Sequence, residues 1–233
     1  MTEIDSQICL IVGAGAGLSA SLARCFAREG MKVVLAARRP EKLAELCNEI
    51  GARAFQCDAT KRDQVDALFD AVENLAGSPG VVVYNASGRA QGAFAELDPS
   101  AVEASLAQTA LGGFFVAHRA VRGMLQRKRG VVLFTGASAS VKGYARSAPF
   151  AMGKFALRGL AQSMARELAP QGIHVAHFVI DGAIGAPGQT KDAASSDSVL
   201  DPDAIAATYL HVMRQPRSAW TWEVELRPWV EKF

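Results

Sequence analysis

Short runs dense in Val, Ile and Leu alternate with longer stretches of helical spacing along the chain, and this alternation constrains the fold more than any other feature. Repeated βαβ units produce it, and they build a parallel sheet covered by helices on both faces. Strands are expected over Ile8–Val12, Lys32–Ala36, Ala52–Cys57, Val81–Tyr84, Val131–Thr135, His174–Val179 and Trp222–Leu226. Most are continuous apolar runs, as strands buried on both faces must be. Helices are expected over Leu18–Glu29, Glu41–Glu49, Arg62–Leu75, Val102–Arg127, Phe150–Leu168 and Asp203–Arg214, where Ala, Leu, Phe and Met recur at helical spacing. Gly30 and Gly130 stand where glycines close helices. The expected fold class is α/β: a doubly wound parallel sheet of about seven strands with helices on both faces, in one domain over residues 1–233.

After the first strand the chain reads Val12-Gly13-Ala14-Gly15-Ala16-Gly17-Leu18-Ser19, and then a helix begins. Glycines at Gly13, Gly15 and Gly17 permit a tight turn and let backbone approach a pyrophosphate, whose charge is favoured at the helix N-terminus. A glycine cluster alone is weak, but its place between a strand and a helix makes this a Rossmann-like dinucleotide site. Where a carboxylate would grip the ribose hydroxyls of NAD, the second strand ends in Ala37-Arg38-Arg39. A guanidinium at Arg38 suits the 2′-phosphate of NADP, so NADP is expected as cofactor ahead of NAD.

On these residues the chain resembles the short-chain dehydrogenase/reductase family, from Ile8 to about Leu226. Gly13-x-x-x-Gly17-x-Ser19 is similar to that family's opening motif, with Ser19 in place of a third glycine and Val12 in place of threonine. Asp58 matches its adenine-contacting acid, and Asn85-Ala86-Ser87-Gly88 resembles its Asn-Ala-Gly segment beside the adenosine pocket. The tract Phe155–Leu168 resembles its helix behind the active site. The resemblance implies that Gly13, Gly15, Gly17, Leu18, Arg38, Asp58, Asn85, Ala86, Lys154 and Ile184 hold the nucleotide.

The family's Tyr-x-x-x-Lys pair reads Phe150-Ala151-Met152-Gly153-Lys154 here. The lysine is present, whereas Phe150 has no proton to give or take. Ala137, thirteen residues before Phe150, stands where the family has a serine, and Ser138 follows one residue too late in that register. Ala110 aligns with the family's helical asparagine. The chain is thus an atypical member whose expected function is NADP(H)-linked oxidoreduction of a small carbonyl or alcohol by an altered or impaired mechanism, through Lys154 and Ser138. The alternative is a non-catalytic NADP(H)-binding sensor or regulatory subunit. A scaffold that has lost the cofactor ranks last, on Ser19 alone. Tyr144 lies six residues before Phe150 as a candidate replacement acid, while Tyr84 and Tyr209 read as core.

Composition narrows the rest. A net charge of +2 leaves no basic footprint for nucleic acid or anionic lipid, and Arg127-Lys128-Arg129 reads as a solvated helix end. Cys9, Cys25, Cys47 and Cys57 are widely spaced in apolar segments, as reduced core thiols are. His118, His174, His177 and His211 form no pair at metal-ligand spacing, so no metal is expected. The start of the chain lacks the pattern of a signal peptide and no apolar run is long enough to span a bilayer, so a cytoplasmic location without membrane contact is expected. The Gly- and Ser-rich segment Asp181–Pro202 reads as a mobile lid over a ligand. Family members pair through long helices, which implies a homodimer or homotetramer, or assembly with an active paralogue, with Phe114, Phe115 and Phe155 available for the contact. Trp220, Trp222 and Trp229 suit a subunit contact, a closed lid or the core.

Overall fold

The computed structural model describes residues 7–185 and 198–231. Seven strands, β1 (Ile8–Val12), β2 (Lys32–Ala37), β3 (Arg53–Gln56), β4 (Val81–Tyr84), β5 (Gly130–Thr135), β6 (Ile173–Ile180) and β7 (Glu223–Leu226), form one sheet in the order β3-β2-β1-β4-β5-β6-β7. Every neighbouring pair is parallel. The seven strands expected from the apolar runs are all present, with ends displaced by at most one residue.

Seven α-helices connect them: α1 (Leu18–Arg28), α2 (Ala44–Ile50), α3 (Arg62–Ala76), α4 (Pro99–Leu106), α5 (Gly112–Arg127), α6 (Ala148–Leu168) and α7 (Pro202–Met213). One face of the sheet buries Leu22 and Phe26 of α1 with Tyr209 and Val212 of α7. The other buries Phe69 and Val72 of α3, Met124 of α5 and Leu157 of α6. Each large apolar side chain so buried contributes about 1.5–3 kcal/mol, and the two cores together make central strands such as β4 apolar at every position. The sheet winds one way from β1 to β2 and the other way from β1 to β4, and open α/β sheets bind ligands at the carboxyl ends of the strands beside such a reversal.

Three local expectations are corrected. The segment Val102–Arg127 is not one regular helix, because α4 starts at Pro99 and a π-helical turn over Ala107–Leu111 separates it from α5. The Tyr84 hydroxyl donates to the Gln108 carbonyl inside this turn, and a side chain entering the backbone ladder in this way breaks its regularity. Gly130 does not close α5; Lys128 takes the left-handed cap at φ 51°, and Gly130 opens β5 against the Met124 side chain. Cys47 is only half-buried, although all four thiols are free and Cys9, Cys25 and Cys57 are buried. The lid expected over Asp181–Pro202 falls largely on residues 186–197, which lie outside the described residues. Among the described residues no helix is long and apolar enough to cross a membrane, and no group of His, Cys, Asp and Glu could hold a metal ion.

Candidate functional site

The turn after β1 is built by backbone geometry. Gly13 sits at φ +84°, and a Cβ there would meet the Ala86 nitrogen at 2.4 Å, so only glycine fits between β1 and the loop after β4. The N–H groups of Gly13 and Ala14 both donate to the Ala36 carbonyl at 3.0 Å, which fastens the turn to the end of β2. Beyond it, Gly15 and Gly17 face open space, with nothing within 4 Å of where a Cβ would stand. The result is an open cradle at the N-terminus of α1, where unpaired backbone N–H groups and the helix dipole favour an anion. Leu18 buries its side chain in the core and offers only backbone to this cradle.

Ser19 braces the turn instead of weakening it. Its hydroxyl donates to the Gly13 carbonyl at 3.2 Å and accepts from the Asn85 amide at 2.6 Å, so β1 and β4 are linked through one serine.

A cleft of about 240 Å³ opens beside the turn, lined among others by Gly13, Arg38, Asp58, Asn85 and Ala86. Arg38 is exposed and has no hydrogen-bond or ion-pair partner among the described residues, which leaves its guanidinium free for a phosphate. The Asp58 carboxylate accepts from the Thr60 N–H at 3.0 Å and the Thr60 hydroxyl at 2.8 Å. Burial works against its charge, yet these bonds and the nearby Arg38 hold it below the usual carboxylate range.

A second cleft, of about 470 Å³, is lined by Asn85, Ser87, Arg89, Ala137, Ser138, Phe150, Lys154 and Ile184 among others. Asn85 and Ser87 line both clefts, which therefore adjoin at the end of β4. Lys154 projects from α6 with only 3% of its surface exposed, and its ammonium donates to the Thr135 carbonyl at 2.7 Å. Burial, with the Arg89 charge adding to it, pulls its pKa down to about 7. Phe150 lies one helical turn earlier on the same face, its ring centroid 5.8 Å from the Lys154 ammonium. Arg89, a residue sequence reasoning passed over, places its guanidinium 4.7 Å from the same centroid.

Ser138 reaches this cleft and Ala137 lines it without a polar group. Ala110 lines neither cleft; its neighbour Thr109 is the buried residue, and the Thr109 hydroxyl accepts from the Gly88 N–H at 2.9 Å. Tyr144 is 44% exposed against Lys142 and does not line the cleft, while Tyr84 and Tyr209 are fully buried. Ile184 is held by a bridge to Leu200, with the Gly185 N–H donating to the Leu200 carbonyl at 2.9 Å.

Behind Ala137 runs a buried polar chain with no signature in any one segment. The Ala137 N–H donates to the Ser140 hydroxyl at 3.2 Å, which lies 3.3 Å from His177 Nε2, and His177 Nδ1 lies 3.1 Å from Glu223. Burial holds His177 down at about 4 despite Glu223, so the ring is neutral at pH 7, and donation from Nδ1 to the carboxylate leaves Nε2 to accept from Ser140. Arg158 closes the chain with paired bonds of 2.6 and 2.8 Å to Glu223. The network ties the loop after β5 to α6, β6 and β7 and fixes one wall of the second cleft.

Comparison with known proteins matches this fold. The short chain dehydrogenase family model covers residues 7–194. An uncharacterised oxidoreductase of Staphylococcus aureus is 25% identical over 234 residues, spanning 98% of this chain and all of that protein. The crystal structure of a short-chain dehydrogenase from Rhodopseudomonas palustris superposes with a TM-score of 0.83 at 35% identity, over 95% of this chain and 98% of the other. A metagenomic short-chain oxidoreductase in complex with NADP superposes at 0.85 with 26% identity, over 98% of this chain and 100% of that one. With its glycine turn, its reversal of sheet order and its buried lysine one turn beyond Phe150, the chain belongs to the short-chain dehydrogenase family and has an oxidoreductase's fold.

Proposed function

We propose that this protein is an NADP(H)-dependent oxidoreductase that acts on a carbonyl or alcohol group without the tyrosine its relatives' motif would supply. The observation that carries this reading is the meeting of the two clefts at Asn85 and Ser87: an anion cradle with a free arginine at one end, a buried lysine at the other. The residues fit NADP(H), since the cradle at Gly15 and Gly17 is open and Arg38 is unpaired among the described residues. Bound there, the nicotinamide would supply or accept a hydride.

The chain's own groups would handle the proton. Lys154 titrates near neutrality, where a general acid or base works best, and the Thr135 carbonyl holds its ammonium in one place. Ser138 lines the same cleft, where its hydroxyl would steady a substrate oxygen. Phe150 and Ala137 contribute apolar wall that excludes water and strengthens the field of Lys154 on a developing oxyanion.

NADPH oxidation against a panel of activated ketones, diketones and quinones tests the reading, with Lys154→Ala as the control. Turnover that Lys154→Ala removes supports it; no turnover above the uncatalysed rate overturns it. Phe150→Tyr together with Ala137→Ser should raise ketone reduction if the missing acid is the main deficit.

The apolar wall at Ala137 and Phe150 also favours a second reading, a non-catalytic NADP(H)-binding sensor or regulatory subunit. Tight NADPH binding without turnover, and mixed oligomers with an active paralogue in cell extract, would support it. We infer a homodimer or homotetramer, or on the second reading assembly with an active paralogue, because Leu111, Phe114, Met152 and Phe155 leave 44–52% of their surfaces exposed on and beside α5 and α6; a cytoplasmic location belongs to the same proposal.

A further inference from the structure

Among the described residues lining it, the second cleft carries two cations and no carboxylate. Lys154 is buried and Arg89 is exposed, and both lie against the ring of Phe150, at 5.8 and 4.7 Å from its centroid. A ring face attracts a cation by about 0.5–2 kcal/mol, which holds the Arg89 side chain in place without using any of its five N–H donors. Several other arginines face carboxylates: Arg24 pairs with Glu49 at 2.7 Å, Arg119 with Asp70 and Glu73 at 2.9 Å, and Arg158 with Glu223 at 2.6 Å. Arg89 lines the cleft and has no such partner among the described residues, so no protein carboxylate occupies its donors.

A planar guanidinium held on an aromatic face at the mouth of a cleft is shaped to take a carboxylate through two parallel N–H···O bonds. The neighbouring polar groups, Asn85, Ser87 and Ser138, carry no charge to compete for it. The remaining walls, Ala137, Ile180, Ala183 and Ile184, suit a short apolar body. A negative group bound here would also favour the ammonium form of Lys154, offsetting the depression caused by Arg89 and leaving the lysine able to release a proton.

Resting on the oxidoreductase reading above, we propose that the substrate is a small oxo acid or hydroxy acid, whose carboxylate is gripped by Arg89 while its carbonyl or hydroxyl oxygen meets Lys154. In the reducing direction bound NADPH would supply the hydride to the carbonyl carbon, the carbonyl π pair would take a proton from the Lys154 ammonium, and solvent would restore that proton. The carboxylate keeps its charge throughout, and NADP⁺ and a hydroxy acid leave.

The test is calorimetric titration of the NADP⁺-saturated protein with benzoylformate, benzoylacetate and 3-benzoylpropionate, each beside its neutral methyl ester, in wild type, Arg89→Ala and Arg89→Lys. Circular dichroism checks the fold of each variant, and NADPH titration checks the nucleotide site separately. At least one acid should bind roughly 10- to 100-fold more tightly than its ester, with Arg89→Ala removing the advantage, Arg89→Lys keeping part of it, and neither changing NADPH affinity. Acids and esters binding alike to nucleotide-loaded wild type would overturn the proposal and leave the oxidoreductase reading standing. An Arg89→Ala variant that loses NADPH affinity but keeps the preference for acids would overturn it too, by assigning Arg89 to the nucleotide. If NADPH fails to bind wild type, the oxidoreductase reading falls first and this inference with it.

Discussion

At the Arg38 end the cleft is bounded by an open glycine cradle and charged side chains, while at the Lys154 end it presents an apolar wall of Ala137 and Phe150 beside a buried ammonium. The glycine turn is fixed by a backbone contact at Gly13, braced by Ser19 and Asn85, and flanked by a free arginine and a depressed carboxylate. More than a hundred residues separate it along the chain from Ala137 and Phe150, where the side chains carry no hydroxyl and the π-helical turn and the loop brace through His177 lie nearby. On the proposed reading, binding and chemistry depend on different atoms of this fold: one on backbone and charge, the other on a few side-chain protons. A sequence can therefore alter the second without disturbing the first.

The largest effect should come from the chemical end. Lys154→Ala should lower kcat/KM for any reduction the protein performs by about 10²- to 10⁴-fold while weakening NADPH binding far less, as steady-state kinetics and titration would read. Equal losses in both would mean that the two ends are not separable.

Gly13→Ala strikes the other end. With φ at +84° and a Cβ 2.4 Å from the Ala86 nitrogen, the substitution should destabilise the fold by more than about 1 kcal/mol and abolish nucleotide binding, seen as a lower Tm that NADPH no longer raises.

pH separates the ends as well. If the Lys154 ammonium is the donor, reduction should fall about tenfold per unit as pH rises above about 7, and Lys154→Met should flatten the profile. The folded pKa of about 7 lies below the free value of 10.5, so between these limits the unfolded chain binds more protons. Stability should then rise with pH across that window through Lys154, and in Lys154→Met this rise should vanish in denaturant titrations.

The smallest effect is expected at Ser19. Ser19→Ala removes two bonds of the brace and leaves the Asn85 amide unpaired, which should cost about 1–2 kcal/mol of stability and weaken NADPH binding modestly, by calorimetry. No change in either would make the serine incidental to the turn.

How far the sequence anticipated this follows the range of the interactions. Parallel strands buried on both faces read directly as apolar runs, so β1 to β7 were legible, as was the glycine turn between β1 and α1. Arg38, Asp58 and Asn85 converge on one cleft because each follows the end of a strand, a position the alternation itself locates. The π-helical turn was not legible, since it depends on the Tyr84 hydroxyl reaching a carbonyl on another element. Nor was the Ser140, His177 and Glu223 chain, whose members come from three separate segments. Arg89 was hidden for a different reason: an arginine after a strand is ordinary until its ring partner, Phe150, is brought to it across the cleft.

Separate calorimetric titrations of the purified protein with NADPH and with NADH, each repeated on Arg38→Asp, test the central claim most directly. NADPH should bind at least about tenfold more tightly than NADH, with Arg38→Asp erasing the difference. Failure of both nucleotides to bind wild type, or a preference indifferent to Arg38, would contradict the account.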